Sequence, residues 1–193
     1  MIEVARTKKN LKQKRKAFIF VEGETEEVYF SHLKQNLRLS AIRIKARILN
    51  NSGKTYLDKA KTIMKNDINY RRDNDTDVYL VFDKDDISKE DFNKLLNKAK
   101  RENIEVGFSN EAFEVFLLAH YEKCGKKSLT KSDLKNKLTD HLNQEYIKAN
   151  DSQISKIVKL HEIAIENTLE ICECNYDKQS TNIGSIIKKI KNS

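Results

Sequence analysis

Apolar positions along the chain follow two alternating rhythms. Ala17 to Val21 (AFIFV) is a short aromatic and β-branched run, and beyond it Val28, Tyr29, Leu33 and Leu37 recur at helical spacing, so a strand leads into a helix. Ile42, Ile44, Ala46 and Ile48 alternate within Ile42 to Leu49 and predict a second strand, followed after Gly53 by a helix carrying Leu57, Ala60, Ile63 and Met64. Asp77 to Phe82 (DVYLVF) is the clearest buried strand, Ser88 to Arg101 a helix with Ser88 as its cap, and Ile104 to Phe108 a fourth strand. Strand alternating with helix predicts an α/β fold with a mostly parallel four-stranded sheet flanked by helices. From Asn110 the rhythm becomes helical: Ala112 to Tyr121 (AFEVFLLAHY), Lys131 to Tyr146, Ser152 to Cys172 and Ile183 to Ile190 each predict a helix, and no further strand is expected. The chain therefore divides into an arm over 1–16, an α/β core over 17–110 and a helical C-terminal extension over 111–193 that packs on the core as part of one unit. No proline, repeat or flexible linker marks a boundary.

Composition adds a charge imbalance to this picture. Lys and Arg number 37 against 29 Asp and Glu in 193 residues, a formal net charge of +8 that suits polyanionic partners. Most of the lysines are spread over helical faces and read as solvated surface. Only KKNLKQKRK, Lys8 to Lys16, clusters, and it suits phosphate binding and a solubilising arm equally. An apolar content of 38% is enough for a core, while no run approaches a membrane span or a secretory signal, so a cytoplasmic protein without membrane contact is expected. Cys124 stands alone and Cys172 and Cys174 form a CxC with no second ligand pair, which predicts reduced, unligated thiols.

The chemistry concentrates at two acidic turns, each at the carboxyl end of a predicted strand. Glu22-Gly23-Glu24-Thr25-Glu26-Glu27 closes the first strand, with Gly23 permitting a tight turn into the helix, and Asp83-Lys84-Asp85-Asp86 closes the most apolar one. Ligands of open α/β sheets gather beyond the carboxyl ends of strands, so the two turns are expected to converge on one crevice. Carboxylates brought that close repel one another unless a cation neutralises them, and an oxygen-only ligand set suits Mg2+ or Mn2+. Acids in a first helical turn also serve the macrodipole, which accounts for Glu24, Glu26 and Glu27 but not for Glu22 or for the DxD. Gly53-Lys54-Thr55 is not a P-loop, because Ile48 stands where the upstream glycine is required.

Glu22-Gly-x-Thr-Glu followed by a hydrophobic strand ending in Asp83-x-Asp85 resembles a Toprim domain, the metal-binding fold of topoisomerases, primases and OLD-type nucleases. Ser109 to His120 (SNEAFEVFLLAH) is similar to the SNPxFExWLLLH signature of RloB-like proteins, a Toprim branch met in phage-defence and abortive-infection loci, and DKQSTNIGSIIKKI from Asp177 is similar to that family's NPST ending. Glu111 replaces the family's Pro, Phe116 its Trp, and KQST its NPST; none of these departures touches a carboxylate.

The resemblance implies a Mg2+-dependent nuclease of prokaryotic antiviral defence acting on DNA or RNA, with a partner ATPase encoded nearby. The alternative is a non-catalytic subunit that binds nucleic acid or that ATPase. Catalysis falls to Glu22, as general acid or base beside the scissile phosphate, and to Asp83 and Asp85 as metal ligands; Glu22 also borders the metal. Glu26 adds a ligand to the same or a second metal, or is a plain helix-start acid. Glu114, costly if unpaired in an apolar helix, is expected near the site or bonded as a buried structural acid. Lys84 is placed near phosphate, Asn110 is a helix cap or a second-layer group, and His120 is a core histidine or a proton shuttle. A homo-oligomer is compatible with all of this.

Overall fold

The computed structural model describes residues 16–45, 55–85 and 87–192. The expectations for the basic arm as far as Arg15, for Ala46 and Ile48, for Gly53 and Lys54, and for Asp86 lie outside those residues. In chain order the elements are β1 (Lys16–Val21), α1 (Glu24–Asn36), β2 (Ile42–Lys45), α2 (Tyr56–Asn66), β3 (Thr76–Asp83), α3 (Lys89–Arg101), β4 (Glu105–Asn110), α4 (Glu114–Leu118), α5 (Lys131–Leu142), α6 (Asp151–Ile157), α7 (His161–Asn167), β5 (Ser180–Thr181) and α8 (Ile183–Asn192). The sheet order is β2-β1-β3-β4-β5; the first four strands are parallel and β5 runs antiparallel to β4. This mostly parallel, helix-flanked sheet is compatible with a Toprim-like fold.

Alternation along each central strand feeds two cores. Ile19, Val21, Tyr79 and Val81 face the layer of α1 and the helical extension, where they meet Tyr29, Phe116, Ile157 and Ile187. Phe18, Phe20, Leu80 and Phe82 point the other way, into a cluster with Leu57, Phe92 and Phe108 beneath α2 and α3. Burial on both faces is why β1 and β3 read as unbroken apolar runs. Ser88 caps α3 as expected, its hydroxyl accepting from Asp91 N at 3.2 Å.

The extension departs from expectation in three places. The helix anticipated over Ala112 to Tyr121 is regular only from Glu114 to Leu118, although nearly all of that segment is buried. The single helix expected from Ser152 to Cys172 is instead α6 and α7 separated and followed by short 3-10 turns. Its interruptions coincide with side chains bonded to backbone carbonyls, His161 Nδ1 to Val158 O at 3.1 Å and Thr168 Oγ1 to Ala164 O at 2.8 Å. Helix α5 stops at Leu142 rather than reaching Tyr146, because Asn143 adopts a left-handed conformation (φ 52°, ψ 30°) and ends it.

A fifth strand also corrects the expected four. Ser180 and Thr181 are too few to show a two-residue rhythm, and β5 is held by specific bonds instead: Ser109 Oγ meets Thr181 Oγ1 at 2.9 Å. Next to it, the Asn182 amide takes the place of a strand partner, accepting from Phe108 N and donating to Val106 O, both at 2.8 Å. Where α8 crosses β4, Gly107 leaves no room for a side chain: a Cβ there would lie 2.7 Å from Ile186 Cδ1 and 2.9 Å from Ile183 Cδ1. Gly107→Ala is therefore expected to lower the unfolding free energy in urea by about 1–3 kcal/mol, the usual cost of overpacking. Among the described residues no helix is long and apolar enough to cross a membrane.

Candidate metal-binding site

Strands β1 and β3 are parallel neighbours with Val21 opposite Val81, so their carboxyl ends emerge side by side. Glu22 bridges them. Its backbone N donates to Val81 O at 3.1 Å, and one carboxylate oxygen accepts from Asp83 N at 3.3 Å. The other oxygen accepts from the Tyr56 hydroxyl at 2.6 Å, across from the first turn of α2. Asp83 in turn accepts from Asp85 N at 3.1 Å, which curls the turn after β3 back on itself. The two acidic turns do converge.

Glu26 turns inward from the first turn of α1 and is 5% exposed. Gly23 makes this approach feasible, though not through an unusual turn: its backbone is extended (φ −116°, ψ 169°), a conformation open to any residue. What Gly23 supplies is the absence of a Cβ, which would lie 2.6 Å from Glu26 Oε2. Burial first, then the charge of Asp83, with smaller contributions from Glu22 and Glu114, pushes the Glu26 carboxyl up to about 8. Asp83 is raised to about 7 by burial and by Glu22, against the opposing pull of Lys131 and Lys148. Glu114, also 5% exposed, accepts from the Tyr146 hydroxyl at 3.1 Å and lies 3.4 Å from Lys148 Nζ, so it is paired as well as close to the other acids.

Glu22, Glu26, Asp83 and Glu114 thus form one electrostatically linked group. Asp85 lies on its exposed rim, ion-paired with Lys131 at the start of α5. Lys84 turns aside, its ammonium 4.9 Å from the centre of the Tyr176 ring. Asn110 closes no helix; it ends β4 and donates to the carbonyls of Asn175, Tyr176 and Lys178, pinning the turn before β5. His120 is buried in the core, where Nδ1–H donates to Phe116 O at 3.0 Å and Nε2 accepts from the Tyr29 hydroxyl at 3.0 Å. Burial lowers its pKa to about 3, so the ring is neutral and fully bonded.

Among the described residues, no three His, Cys, Asp or Glu already stand at metal-holding spacing. The donor chemistry nevertheless fits a hard divalent cation. All the groups are carboxylates, burial and crowding raise the pKa of two of them towards or past neutrality, and a cation reverses both penalties. Sequence reasoning missed Tyr56, Tyr146, Lys131 and Lys148, which hold these acids from distant points of the chain. Tyr56→Phe deletes only the hydroxyl that holds Glu22; urea unfolding should show a loss of about 1.5–3 kcal/mol, the range for a hydrogen bond to a carboxylate.

A family model described as RloB-like protein matches residues 17–190, nearly the whole described chain. No curated protein and no solved structure matches.

Proposed function

The chain belongs to the RloB-like family, and from that premise we propose that it is a divalent-metal-dependent nuclease of Toprim type, hydrolysing nucleic-acid phosphodiesters in prokaryotic antiviral defence. The observation that carries this reading is the meeting of Glu22, Glu26 and Asp83 beyond two adjacent parallel strands, where burial and mutual repulsion call for a cation. Asp83 and Asp85 would hold Mg2+ or Mn2+, with Glu26 and Glu22 beside them. When bound, the metal stabilises charge on a phosphodiester oxygen and lowers the pKa of a water.

The chain's own groups supply the rest. Glu22 is the general acid or base, and Tyr56 and the backbone of Asp83 fix its carboxylate so that a proton leaves or arrives at a defined position. Tyr146 and Lys148 keep Glu114 from adding an uncompensated charge. ATP hydrolysis in such a system falls to a separate partner, since Gly53-Lys54-Thr55 lacks the glycine of a P-loop.

The test is to incubate the purified chain with labelled DNA and RNA in Mg2+ or Mn2+, with and without its partner ATPase. Cleavage abolished by a chelator is the expected result. Intact DNA and RNA under every condition, together with undiminished phage defence by Asp83→Asn, would overturn the reading in favour of a non-catalytic binding subunit.

A further inference from the structure

A cavity of about 580 Å3 opens beside the acids, between the start of α5 and the segment that leads into α6. Glu114, Lys131, Lys135, Tyr146, Ile147 and Lys148 line it. We propose that this groove holds a single nucleic-acid strand, with Lys131, Lys135 and Lys148 on its phosphates and Ile147 against a base or sugar. The inference rests on the nuclease reading only for the position of the scissile bond.

Three observations lead to it. Each lysine is engaged by a carboxylate, Lys131 by Asp85, Lys135 by Glu145 at 2.8 Å and Lys148 by Glu114 at 3.4 Å, yet the lysine side chains remain 47%, 53% and 67% exposed. For Lys131 and Lys135, whose carboxylate partners are themselves 36% and 70% exposed, such pairs contribute only about 0–1 kcal/mol, so exchanging a carboxylate for a phosphate costs little. Glu114 is buried and stays bonded to Tyr146, and the more exposed Lys148 shares its ammonium between Glu114 and a phosphate. Second, Glu114 of the acid group lines the cavity itself, Lys131 pairs with Asp85 and Lys148 lies 3.4 Å from Glu114, so the groove adjoins the acid group. A phosphate seated on both lysines adjoins the carboxylates. Third, the cavity is of nucleotide size, and Ile147, 54% exposed between Tyr146 and Lys148, offers it an apolar surface. A single strand presents bare base faces to such a surface, whereas a duplex keeps them stacked inside.

The Lys131–Asp85 pair gives the arrangement a direction. A strand phosphate that takes Lys131 leaves the Asp85 carboxylate available to a cation, so strand binding and metal binding support each other. Binding alone can be followed without any metal.

The experiment is fluorescence anisotropy of short labelled single-stranded DNA and RNA oligonucleotides in excess chelator, titrated with the full chain at several salt concentrations. Lys131→Gln/Lys148→Gln is expected to bind at least about tenfold more weakly. Its plot of log affinity against log salt should flatten by about 1.4, at about 0.7 per phosphate contact on a single strand. Asp85→Asn, which releases Lys131, should bind more tightly than the unaltered chain. Lys94→Gln/Lys98→Gln removes the same charge from exposed positions on α3, under the opposite face of the sheet, and should change affinity less than about twofold. Equal losses in the two double variants, no binding by the unaltered chain, or equally strong binding of polyglutamate would each overturn the groove assignment. Loss of binding in Lys131→Gln/Lys148→Gln, without any cleavage in Mg2+ or Mn2+, would support the groove and sink the nuclease reading; cleavage with unaltered binding would do the reverse.

Discussion

Asp83→Asn is expected to reduce metal-dependent cleavage by about 100-fold or more, since removing a group that helps hold transition-state charge costs several kcal/mol and each 1.4 kcal/mol or so is tenfold. The variant should fold. Asparagine keeps an oxygen for Asp85 N and leaves the backbone bond to Glu22 in place. It also removes the charge that raises Glu26, so in chelator its melting temperature should equal or exceed that of the unaltered chain. Reduced cleavage with undiminished thermal stability separates a lost metal ligand from a damaged fold. Full cleavage by Asp83→Asn would show that the chemistry lies elsewhere.

Stability without metal should fall as pH rises through neutrality, which is unusual for carboxyl groups. Glu26 is raised from an ordinary 4.5 to about 8 and Asp83 from 3.8 to about 7. Between the ordinary and the raised values these two groups bind more protons in the folded chain than in the unfolded one, so their contribution to stability is full below about pH 4 and is lost as pH rises to about 8. His120 acts in the opposite sense: its pKa is lowered to about 3 from 6.5, so its contribution disappears only as pH falls below that ordinary value. His161 is lowered in the same sense, so melting curves from about pH 7 to 8.5 in chelator, above the ordinary histidine value, report mainly the acids. Glu26→Gln should melt higher than the unaltered chain at pH 8 without metal, with a flatter pH profile. Saturating Mg2+ or Mn2+ should raise the unaltered chain by several degrees and Glu26→Gln by less, since a ligand at about 100 times its Kd contributes about 2.7 kcal/mol. A steeper decline for Glu26→Gln, or the same metal response in both proteins, would exclude Glu26 from the site.

How far sequence alone reached follows from where each partner lies. Strands β1 and β3 were legible because both faces are covered and the apolar run is uninterrupted. Glu22 and Asp83 stood out because they end those runs, where a charge has no packing role. Gly23 was correctly singled out for the wrong reason, since the constraint is the carboxylate of Glu26 rather than a turn. Strand β5 was invisible, being two residues fixed by side chains of β4 and by Asn182. Lys131 looked like any helix-surface lysine, because its meaning depends on Asp85, 46 positions away. Periodicity reports which way a residue faces; it carries no record of which distant residue it faces.

The late strand has one further implication, for the time order of folding. Ser109 in β4 meets Thr181 across a separation of 72 residues, so a ribosome must add that whole stretch before the edge of β4 is covered. Until then the nascent sheet presents an unpaired border, the kind of edge that invites pairing with other chains. Lys131 and Lys148 lie inside the same stretch. The acids of β1 and β3 are therefore synthesised well ahead of the lysines that neutralise them, and an emerging chain cannot acquire the complete centre early.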